Sequence, residues 1–486
     1  MKALVLGAVG VLLAAGAACG VLALQYVTQQ SPADAIQSVI ASRAGQVIAA
    51  DFQPTRRAQI HEGAPNRDFG RLGASRDRSY APLCYGPAGE PLPRTEAAGG
   101  TCPQPLRLVP VYDQPTLAAA LRTAQPGDYI RLAPGIYRLT GQALYATAVG
   151  RPDAPIIVAA DILGDVRIEM AMVEGFAVQG AYWAFGNLEI TGTCPNDSDC
   201  EHAFHVSGDA RGLVLRNNRL SDFNAQIKIN GRAQTGTYPD QVLIEGNSLI
   251  DSRPRRTGNP VTKIDAVGTH DLRIIGNVIA DFAKKGADQR SYGAFSKGNS
   301  RGTRIERNLV VCEWQHRGGG RIGLSLGGGG TGEQYCRGGS CPVEDSGGII
   351  RSNIVLGCGD VGVYLREAAS ARVERNLIAG TRGIDARFPS TDATVGANLI
   401  DGRIMAWDGS TVRDAGNIIS PWRAARRKAV TTDYIPFASR GEFAAMAVPD
   451  APSEPMTRDI CGQMLPPVAP MGPIGLACEL DVPALR

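Results

Sequence analysis

Residues 305–310 read IERNLV: an apolar residue, two residues that are mostly polar or small in the other copies, an asparagine, any residue, and an apolar residue. The phrase occurs seven times, and the other copies are 215–220 (LRNNRL), 244–249 (IEGNSL), 274–279 (IIGNVI), 350–355 (IRSNIV), 373–378 (VERNLI) and 395–400 (VGANLI). Asn187 and Asn417 extend the series at its ends. By subtraction of their numbers, successive asparagines stand 31, 29, 30, 31, 45, 23, 22 and 19 positions apart. A repeat of this length is typical of a solenoid.

One asparagine per repeat predicts one corner of a parallel β-helix. Asparagine tolerates the left-handed backbone region that a sharp corner requires. Stacked coils would place the asparagines about 4.8 Å apart, so that their amides form a hydrogen-bonded ladder. The flanking runs are short and rich in Val, Ile and Leu, as buried parallel strands are. Asparagine turns in a β-sandwich fit less well, because turn signals there recur about every 8–12 residues.

The composition narrows the classes of partner. A net charge of +3 on 486 residues is small and does not suggest a nucleic-acid binder. The 59 glycines and 31 prolines fit a chain with many tight corners. Any electrostatic preference must therefore be local, and we expect a monomer.

The N-terminus predicts export. After Met1 and Lys2, residues 3–24 are an unbroken apolar or small run, longer than most signal-peptide cores and long enough to span a bilayer. An uncleaved membrane anchor, a signal peptide cut after the small residues near Ala18, and a lipid anchor at Cys19 are the alternatives. Each of them places the rest of the chain in the periplasm or outside the cell.

The cysteines agree with an oxidising compartment. Setting Cys19 aside leaves an even number, and four pairs are close neighbours in sequence: Cys84 with Cys102, Cys194 with Cys200, Cys336 with Cys341, and Cys461 with Cys478. Cys312 and Cys358 follow their corner asparagines at similar offsets, so we expect them to meet across adjacent coils. No spacing resembles a zinc site.

The order of segments predicts four regions. They are residues 1–24 (signal or anchor), 25–105 (irregular extension), 106–420 (β-helix) and 421–486 (C-terminal cap or tail). A short amphipathic helix starts near Thr116 and precedes the strands of 126–139 (PGDYIRLAPGIYRL). We expect this helix to close the open end of the β-helix, where strand edges would otherwise be exposed.

One strand of each coil presents a polar row. Alternation predicts an inward set, namely Ile227, Ile229, Ile264, Ala266, Ala294, Ile322, Leu324, Val363, Leu365, Ile384 and Ala386. The outward set is then His205, Lys228, Asn230, Lys263, Asp265, Lys297, Ser325, Tyr364, Arg366, Asp385 and Arg387. A glycine-rich insertion between Leu326 and Ile349 lacks the context of a phosphate loop and is expected to wall a groove beside this row.

A row of cations along parallel strands suits an extended anionic polymer, and outside the cell that is an acidic polysaccharide. Cleavage of a uronic acid chain by β-elimination needs a neutralised carboxylate, a base for the C5 proton and a proton donor. Our candidate base is Lys297, because neighbouring cations favour its neutral form. The other candidates are Lys228, Lys263 and Arg321 for the carboxylate, Tyr292 or His316 as donor, and Tyr364, Arg366 and Arg387 as substrate contacts. Asp265 could orient a lysine or, with Glu344, hold calcium.

The helix with PGDYIRLAPGIYRL and the coils with asparagine corners resemble the chondroitinase B and alginate lyase superfamily of right-handed parallel β-helix proteins. Four blocks, SYGAFSKG, IERNLVVCE, GLSLGGGGTG and CGDVGVYL, also resemble exported bacterial β-helix repeat proteins. The resemblance implies an all-β, right-handed parallel β-helix and a lyase that uses a Lys and an Arg with calcium. Lys263 or Lys297, with Arg321, would take those roles, although residues 263–265 lack a Glu-x-Glu pair.

Three other functions stay open. A uronate C5-epimerase would share the proton abstraction of a lyase. A glycoside hydrolase needs closely set carboxylates, and Asp265, Asp360 and Asp385 do not lie together in sequence. A non-catalytic glycan-binding or envelope protein would use the lysines and arginines only as a positive track.

Overall fold

The computed structural model describes residues 82–232, 235–328, 331–419, 458–460 and 462–464. All of them belong to one compact unit, His61–Ala484. The predicted signal or anchor, most of the 25–105 extension, most of the C-terminal tail and the pair Cys461 and Cys478 lie outside the described residues. The described residues contain no helix with the length and hydropathy that a membrane span requires.

Almost all regular elements of the described chain are strands. In chain order they are β1 (Arg107–Val111), β2 (Asp128–Leu132), β3 (Gly135–Thr140), β4 (Leu144–Ala146), β5 (Ile156–Ala159), β6 (Val166–Ala171), β7 (Glu174–Val178), β8 (Trp183–Gly186), β9 (Glu189–Gly192), β10 (His202–Ser207), β11 (Val214–Arg216), β12 (Arg219–Ser221), β13 (Ile227–Asn230), β14 (Leu243–Glu245), β15 (Ser248–Ile250), β16 (Val261–Val267), β17 (Arg273–Ile275) and β18 (Val278–Ala280). The second half contains β19 (Arg290–Lys297), β20 (Ser300–Arg301), β21 (Arg304–Glu306), β22 (Leu309–Val311), β23 (Gly320–Leu326), β24 (Asp345–Ser346), β25 (Ile349–Arg351), β26 (Ile354–Leu356), β27 (Val363–Arg366), β28 (Ala368–Ala369), β29 (Ala371–Glu374), β30 (Leu377–Ala379), β31 (Gly383–Arg387), β32 (Asp392–Gly396), β33 (Leu399–Ile400), β34 (Arg403–Trp407), β35 (Thr411–Ala415) and β36 (Ile418–Ile419). One α-helix, α1 (Gln114–Arg122), and 3-10 turns at Arg94–Gly99, Asp197–Asp199, Glu333–Tyr335 and Arg337–Gly339 complete the described elements.

These strands form three long parallel sheets. Sheet A has twelve strands in the order β1-β2-β5-β8-β11-β14-β17-β21-β25-β29-β32-β35, and sheet B has eleven in the order β3-β6-β9-β12-β15-β18-β22-β26-β30-β33-β36. Sheet C has ten, β4-β7-β10-β13-β16-β19-β23-β27-β31-β34, and β20-β24-β28 form a small fourth sheet. The chain passes from A to B to C in each coil, and equivalent residues pair, for example Ile244 with Ile274 and Ile274 with Ile305. The predicted right-handed parallel β-helix is confirmed.

The repeated asparagines form a hydrogen-bonded ladder at the corner between sheets A and B. Each side-chain amide donates to the Oδ1 atom of the next, at 3.0 Å from Asn277 to Asn308 and 2.9 Å from Asn308 to Asn353. The backbone N–H of each residue donates to the same oxygen. We call the following residues the amide ladder: Asn218, Asn247, Asn277, Asn308, Asn353, Asn376, Asn398 and Asn417.

The predicted reason for the asparagines needs correction. The left-handed residue of each corner is the one before the ladder asparagine, as in Arg307 (φ 59°) and Ser352 (φ 55°). The ladder is therefore selected by amide hydrogen bonding and not by backbone conformation. Asn187 is itself such a left-handed residue (φ 58°), and its Oδ1 accepts from Asn217. The ladder begins one coil later, at Asn218.

The interior is apolar, and the whole inward set predicted from alternation is buried. Helix α1 begins at the predicted place, with Asp113 as its N-cap and Thr116 completing a capping box. Its Leu117 and Leu121 belong to the main core cluster. A capping role for this helix stays a prediction.

Among the described residues, four disulfides connect coils and loops. Cys84 pairs with Cys102, Cys194 with Cys200, and Cys336 with Cys341. The pair Cys312 and Cys358 connects the ends of β22 and β26, which are neighbouring strands of sheet B. These four predicted pairings are confirmed.

Candidate functional site

Sheet C carries the polar row on its outer face, in two neighbouring columns. The first column pairs equivalent residues of successive strands, and it contains His205, Lys228, Asp265, Phe295, Ser325, Tyr364 and Asp385. The second column lies two residues further along each strand and contains Asn230, Val267, Lys297, Arg366 and Arg387. We call these two columns the outer strip.

The part of the outer strip on β10, β13 and β16 is a set of paired polar groups. The Nζ atom of Lys228 donates to Asp265 Oδ1 at 2.8 Å, across neighbouring strands. On the coil before, His205 Nδ1 lies 2.8 Å from Glu174 Oε1, and its Nε2 lies 2.9 Å from Asn230 Oδ1. Each charge here has an opposite or polar partner, so this part of the strip is held rigidly but is nearly neutral.

Lys297 has a different environment. Its Nζ atom stands 4.7 Å from the centre of the Phe295 ring, and within the described ranges no carboxylate lies at ion-pair distance from it. Burial lowers the pKa of Lys297 and is the main cause of the shift. The charges of Asp265 and Glu344 act in the opposite direction, and those of Lys228 and Arg366 lower the pKa further. A half-buried amine of this kind is easier to deprotonate than a solvated lysine.

The part of the strip on β19, β27 and β31 combines phenol and guanidinium side chains. Burial raises the pKa of Tyr292 to about 12, so this phenol keeps its proton at neutral pH. Its ring packs edge-on against Phe295 at 5.4 Å. Tyr364 is half-buried, and the guanidinium of Arg366 lies 4.6 Å from the Phe388 ring. Phe295 and Phe388 were missed in the sequence because apolar residues at outward positions resemble core residues.

Lys263 was predicted to face outward, and this is wrong. The residue is 0% exposed, and its Nζ atom donates to Asp251 Oδ2 at 2.5 Å and to the carbonyl oxygen of Phe223 at 2.8 Å. Burial lowers the pKa of Lys263, opposed by the charge of Asp251. A lysine held in this way cannot reach a sugar carboxylate.

Arg321 and His316 are also displaced from the strip. Arg321 is 0% exposed, and its guanidinium donates to the carbonyl oxygens of Gly318 and Cys312. His316 lies at the corner between sheets B and C, where its Nε2 is 2.8 Å from the carbonyl oxygen of Ser252. Ser325 keeps its place in the first column of the strip, but it is buried and donates to the carbonyl oxygen of Gly327. The predicted role of Arg321 beside the substrate is therefore wrong on geometry.

Lys263 and Arg321 instead belong to a charged corner between sheets B and C. Asp222, Asp251 and Asp281 follow the ends of β12, β15 and β18 and stack on successive coils, as the register of these strands shows. All three are buried. Burial, and after it the charge of Asp251, raises the pKa of Asp222. We call these three aspartates with Lys263 and Arg321 the charged corner.

The glycine-rich insertion lies beside the outer strip, as predicted. Arg337 donates to Asp240 Oδ1 at 2.6 Å and to the carbonyl oxygen of Gly268 at 3.1 Å, and its backbone N–H donates to the carbonyl oxygen of Gly298 at 3.0 Å. These contacts reach three successive coils at the C-terminal ends of the sheet C strands. The insertion therefore forms a rim of the strip next to Lys297.

The donor set does not fit calcium. One Glu344 oxygen accepts from the backbone N–H of Gly298 at 2.5 Å and from Thr331, while the Asp265 carboxylate already pairs with Lys228. Within the described ranges, no three His, Cys, Asp or Glu side chains are arranged to hold a metal ion. Calcium binding stays a prediction of the sequence.

Two carboxylates that the sequence kept apart do come together. Arg382 Nη1 lies 2.8 Å from Asp360 Oδ1, and its Nη2 lies 3.8 Å from Asp385 Oδ2. Burial raises the pKa of Asp385, against the charge of Arg382 and a hydrogen bond with the Trp407 side chain. Asp385 pairs with Tyr364 in the first column of the strip.

Comparisons with known proteins agree on no family. No protein-family model and no curated protein sequence matches this chain. Among solved structures, the chain is similar to an alginate lyase from Paenibacillus sp. str. FPU-7, with 15% identity over 65% of this chain and 96% of that one, and a TM-score of 0.35. For pectate lyase Pel9A the values are 15% identity, 78% and 90% coverage, and a TM-score of 0.38. A GH136 lacto-N-biosidase from Eubacterium ramulus is 12% identical over 64% of this chain and 68% of that one, with a TM-score of 0.41. At these TM-scores, no likeness assigns an activity to this chain.

Proposed function

We propose that this protein is an exported enzyme that binds an anionic, uronic-acid-containing polysaccharide along the outer strip and cleaves it by β-elimination. The observation that carries the proposal is the environment of Lys297: a half-buried ammonium over Phe295, with a lowered pKa and no carboxylate partner among the described residues. A base for a sugar C–H proton needs this kind of amine, because its neutral form must be accessible near neutral pH.

The remaining groups fit the other requirements of the reaction. Lys297 Nζ takes the C5 proton, the bond from C4 to the leaving oxygen breaks, and a C4–C5 double bond forms. Tyr292, whose pKa of about 12 keeps its hydroxyl protonated, supplies a proton to the leaving oxygen. Arg366 lies in the second column two strands beyond Lys297, where its charge acts on that lysine, and it neutralises the carboxylate, which stabilises the charge that develops during proton removal. Arg387 follows on the next strand and contacts the polymer there. Lys228, Asp265 and Tyr364 contact the polymer on either side.

Export and a polysaccharide partner belong to the same proposal. The four disulfides support an oxidising compartment, in agreement with the apolar run at residues 3–24. Whether that run anchors the protein in a membrane or is removed does not change the chemistry of the strip.

The test compares two substitutions of Lys297 on a panel of uronic acid polymers. Lys297→Ala should lower kcat by about 10²–10⁴-fold, the usual contribution of a general base, measured by ultraviolet absorbance of the unsaturated ends. Lys297→Arg keeps the positive charge but cannot become neutral, so it should lose activity and still be retained by the polymer. Arg122→Ala removes an exposed charge on α1 and is the control. Full activity of Lys297→Arg would rule out this base.

The Asp360 and Asp385 pair favours a glycoside hydrolase as the second candidate. In that reaction Asp385, with its raised pKa, protonates the leaving oxygen, and Asp360 deprotonates the attacking water. New reducing ends without ultraviolet absorbance, abolished by Asp385→Asn and unaffected by Lys297→Arg, would select this candidate. An epimerase would exchange the C5 proton without cleaving the chain.

A further inference from the structure

A second basic surface lies outside the outer strip, in a cleft of about 480 Å³. Its walls come from three loops, residues 193–201, 251–260 and 281–289, which lead into β10, β16 and β19 of sheet C. The cleft therefore borders the N-terminal ends of sheet C strands, whereas the glycine-rich insertion borders the C-terminal ends of β13, β16 and β19.

The walls of the cleft are fixed in place. The disulfide between Cys194 and Cys200 closes the first loop. Between these cysteines, the buried Asp197 accepts two hydrogen bonds from Arg253, at 2.5 and 2.7 Å, and one from the backbone N–H of Arg256 at 2.6 Å. The first and second loops are thus held together by one carboxylate, and the oxygens of that carboxylate are already engaged.

Within the part of the chain that the structure describes, Arg256 and Lys285 are the cations of the cleft that form no ion pair. The preceding residues, Arg255 and Lys284, form a parallel β-bridge, and Lys285 N–H donates to the carbonyl oxygen of Arg255 at 2.7 Å. Arg256 and Lys285 therefore hold equivalent positions on neighbouring coils. Both are exposed, and neither forms an ion pair with another residue of the described ranges. Like charges placed opposite one another on paired strands destabilise the pairing, and an anion between them would remove that cost.

We propose that this cleft is a binding subsite for an oxyanion carried by a sugar, either a sulfate ester or a carboxylate. The inference rests on the proposed function in one respect: the polymer on the outer strip would be the source of that sugar. Arg256 and Lys285 contact the oxyanion, and Arg253 contributes a third positive charge that Asp197 holds in place. The volume admits more than a bare ion, which suits a substituted sugar unit.

The experiment measures binding of inorganic sulfate to the full chain by calorimetry, against sodium chloride at equal ionic strength so that screening is matched. We expect the wild type to bind sulfate and Arg256→Ala/Lys285→Ala to bind it at least about tenfold more weakly, since two charge-assisted contacts are lost. Arg122→Ala/Arg138→Ala removes two exposed charges elsewhere and should bind sulfate like the wild type. Equal binding by the wild type and the Arg256→Ala/Lys285→Ala variant would overturn the proposal.

Retention on chondroitin sulfate and on chemically desulfated chondroitin then separates the two oxyanions. If Arg256→Ala/Lys285→Ala is retained less than the wild type on the sulfated polymer alone, the result supports a sulfate ester. If the variant loses retention equally on both polymers, the result supports a carboxylate. Failure of the proposed function would appear as absent cleavage by the wild type, with the difference in sulfate binding intact. Failure of the subsite would appear as unchanged sulfate binding, whether or not the polymer is cleaved.

Discussion

Two corners of the same coils solve the burial of polar groups in opposite ways. At the amide ladder, Asn308 receives two hydrogen bonds at Oδ1 and donates its amide to Asn353 and to the carbonyl oxygen of Ile274, all without charge. At the charged corner, Lys263 and Asp251 are both 0% exposed on their side chains and form an ion pair of 2.5 Å. The first arrangement extends over eight coils, whereas the aspartates of the second occupy three.

The difference follows from what each group can do alone. An amide both donates and accepts, so one residue type satisfies its neighbours in a stack of any length. A carboxylate only accepts and repels the next carboxylate, so each one needs donors or a cation from another segment. Asparagine can therefore be repeated on many coils without further partners, whereas each added aspartate needs a donor or a cation. The two corners should respond differently to substitution.

The largest effect is expected from breaking the ion pair of the charged corner. Lys263→Met keeps most of the side-chain volume but leaves Asp251 buried without its cation, which should lower the free energy of unfolding by about 3–5 kcal/mol. Urea denaturation measures the loss, and Lys297→Met, at a half-buried lysine of the same sheet, is the control with an expected change below about 1 kcal/mol. Adding Asp251→Asn should recover part of the loss. Equal effects of the two Met variants would mean that Lys263 is not held as described.

A smaller loss is expected from one missing rung of the amide ladder. Asn308→Ala leaves the amide of Asn277 and the Oδ1 of Asn353 each without one partner in a buried place, at a cost of about 2–3 kcal/mol. Asn417→Ala, at the half-exposed last rung, should cost less than about 1 kcal/mol because water can replace the amide. The same urea titration tests both variants, and a larger loss at Asn417 would contradict the ladder account.

The third corner, between sheets C and A, supplies a test by pH, because no cation of the described residues forms an ion pair with its buried carboxyl group, that of Asp345. Burial raises the pKa of Asp345 from 3.8 to about 8, against a hydrogen bond from Thr303. Because the folded-state pKa lies above the unfolded value, the contribution to stability is greatest below pH 4 or so and declines until about pH 8, by at most ~1.4 kcal/mol per pH unit. Asp345→Asn should remove this slope in urea titrations at pH 5, 6, 7 and 8. If the substitution leaves the pH dependence of the unfolding free energy unchanged, a group other than Asp345 causes it.

The repeat made the fold and the ladder predictable. One asparagine at a constant place in each phrase fixes the corner, and the register of Ile244, Ile274 and Ile305 follows from it. The left-handed residue was missed, although Asn217, Gly246 and Gly276 stand directly before ladder asparagines and are residues that favour that conformation.

The candidate site was less predictable. The alternation of residues along a strand indicates which face of the sheet a side chain is on, but not whether another segment buries it. Lys263 has the alternation of an outward residue, but Asp251, twelve positions earlier in a loop, holds it in the protein. Likewise, Asp360 and Asp385 approach one another only through Arg382, on an intervening loop. Lys297 could be selected from its row, whereas the Phe295 ring beneath it depends on packing that a single sequence does not reveal.

The amide ladder also bears on how such a chain can change length during evolution. Spacings from 19 to 45 residues all join the ladder through the same pair of bonds. Duplicating or deleting one complete coil would therefore leave every ladder amide with a hydrogen-bond partner. Deleting only part of a coil would interrupt the ladder. Genes for this architecture should accordingly gain and lose whole turns, and each event would lengthen or shorten the outer strip by one strand.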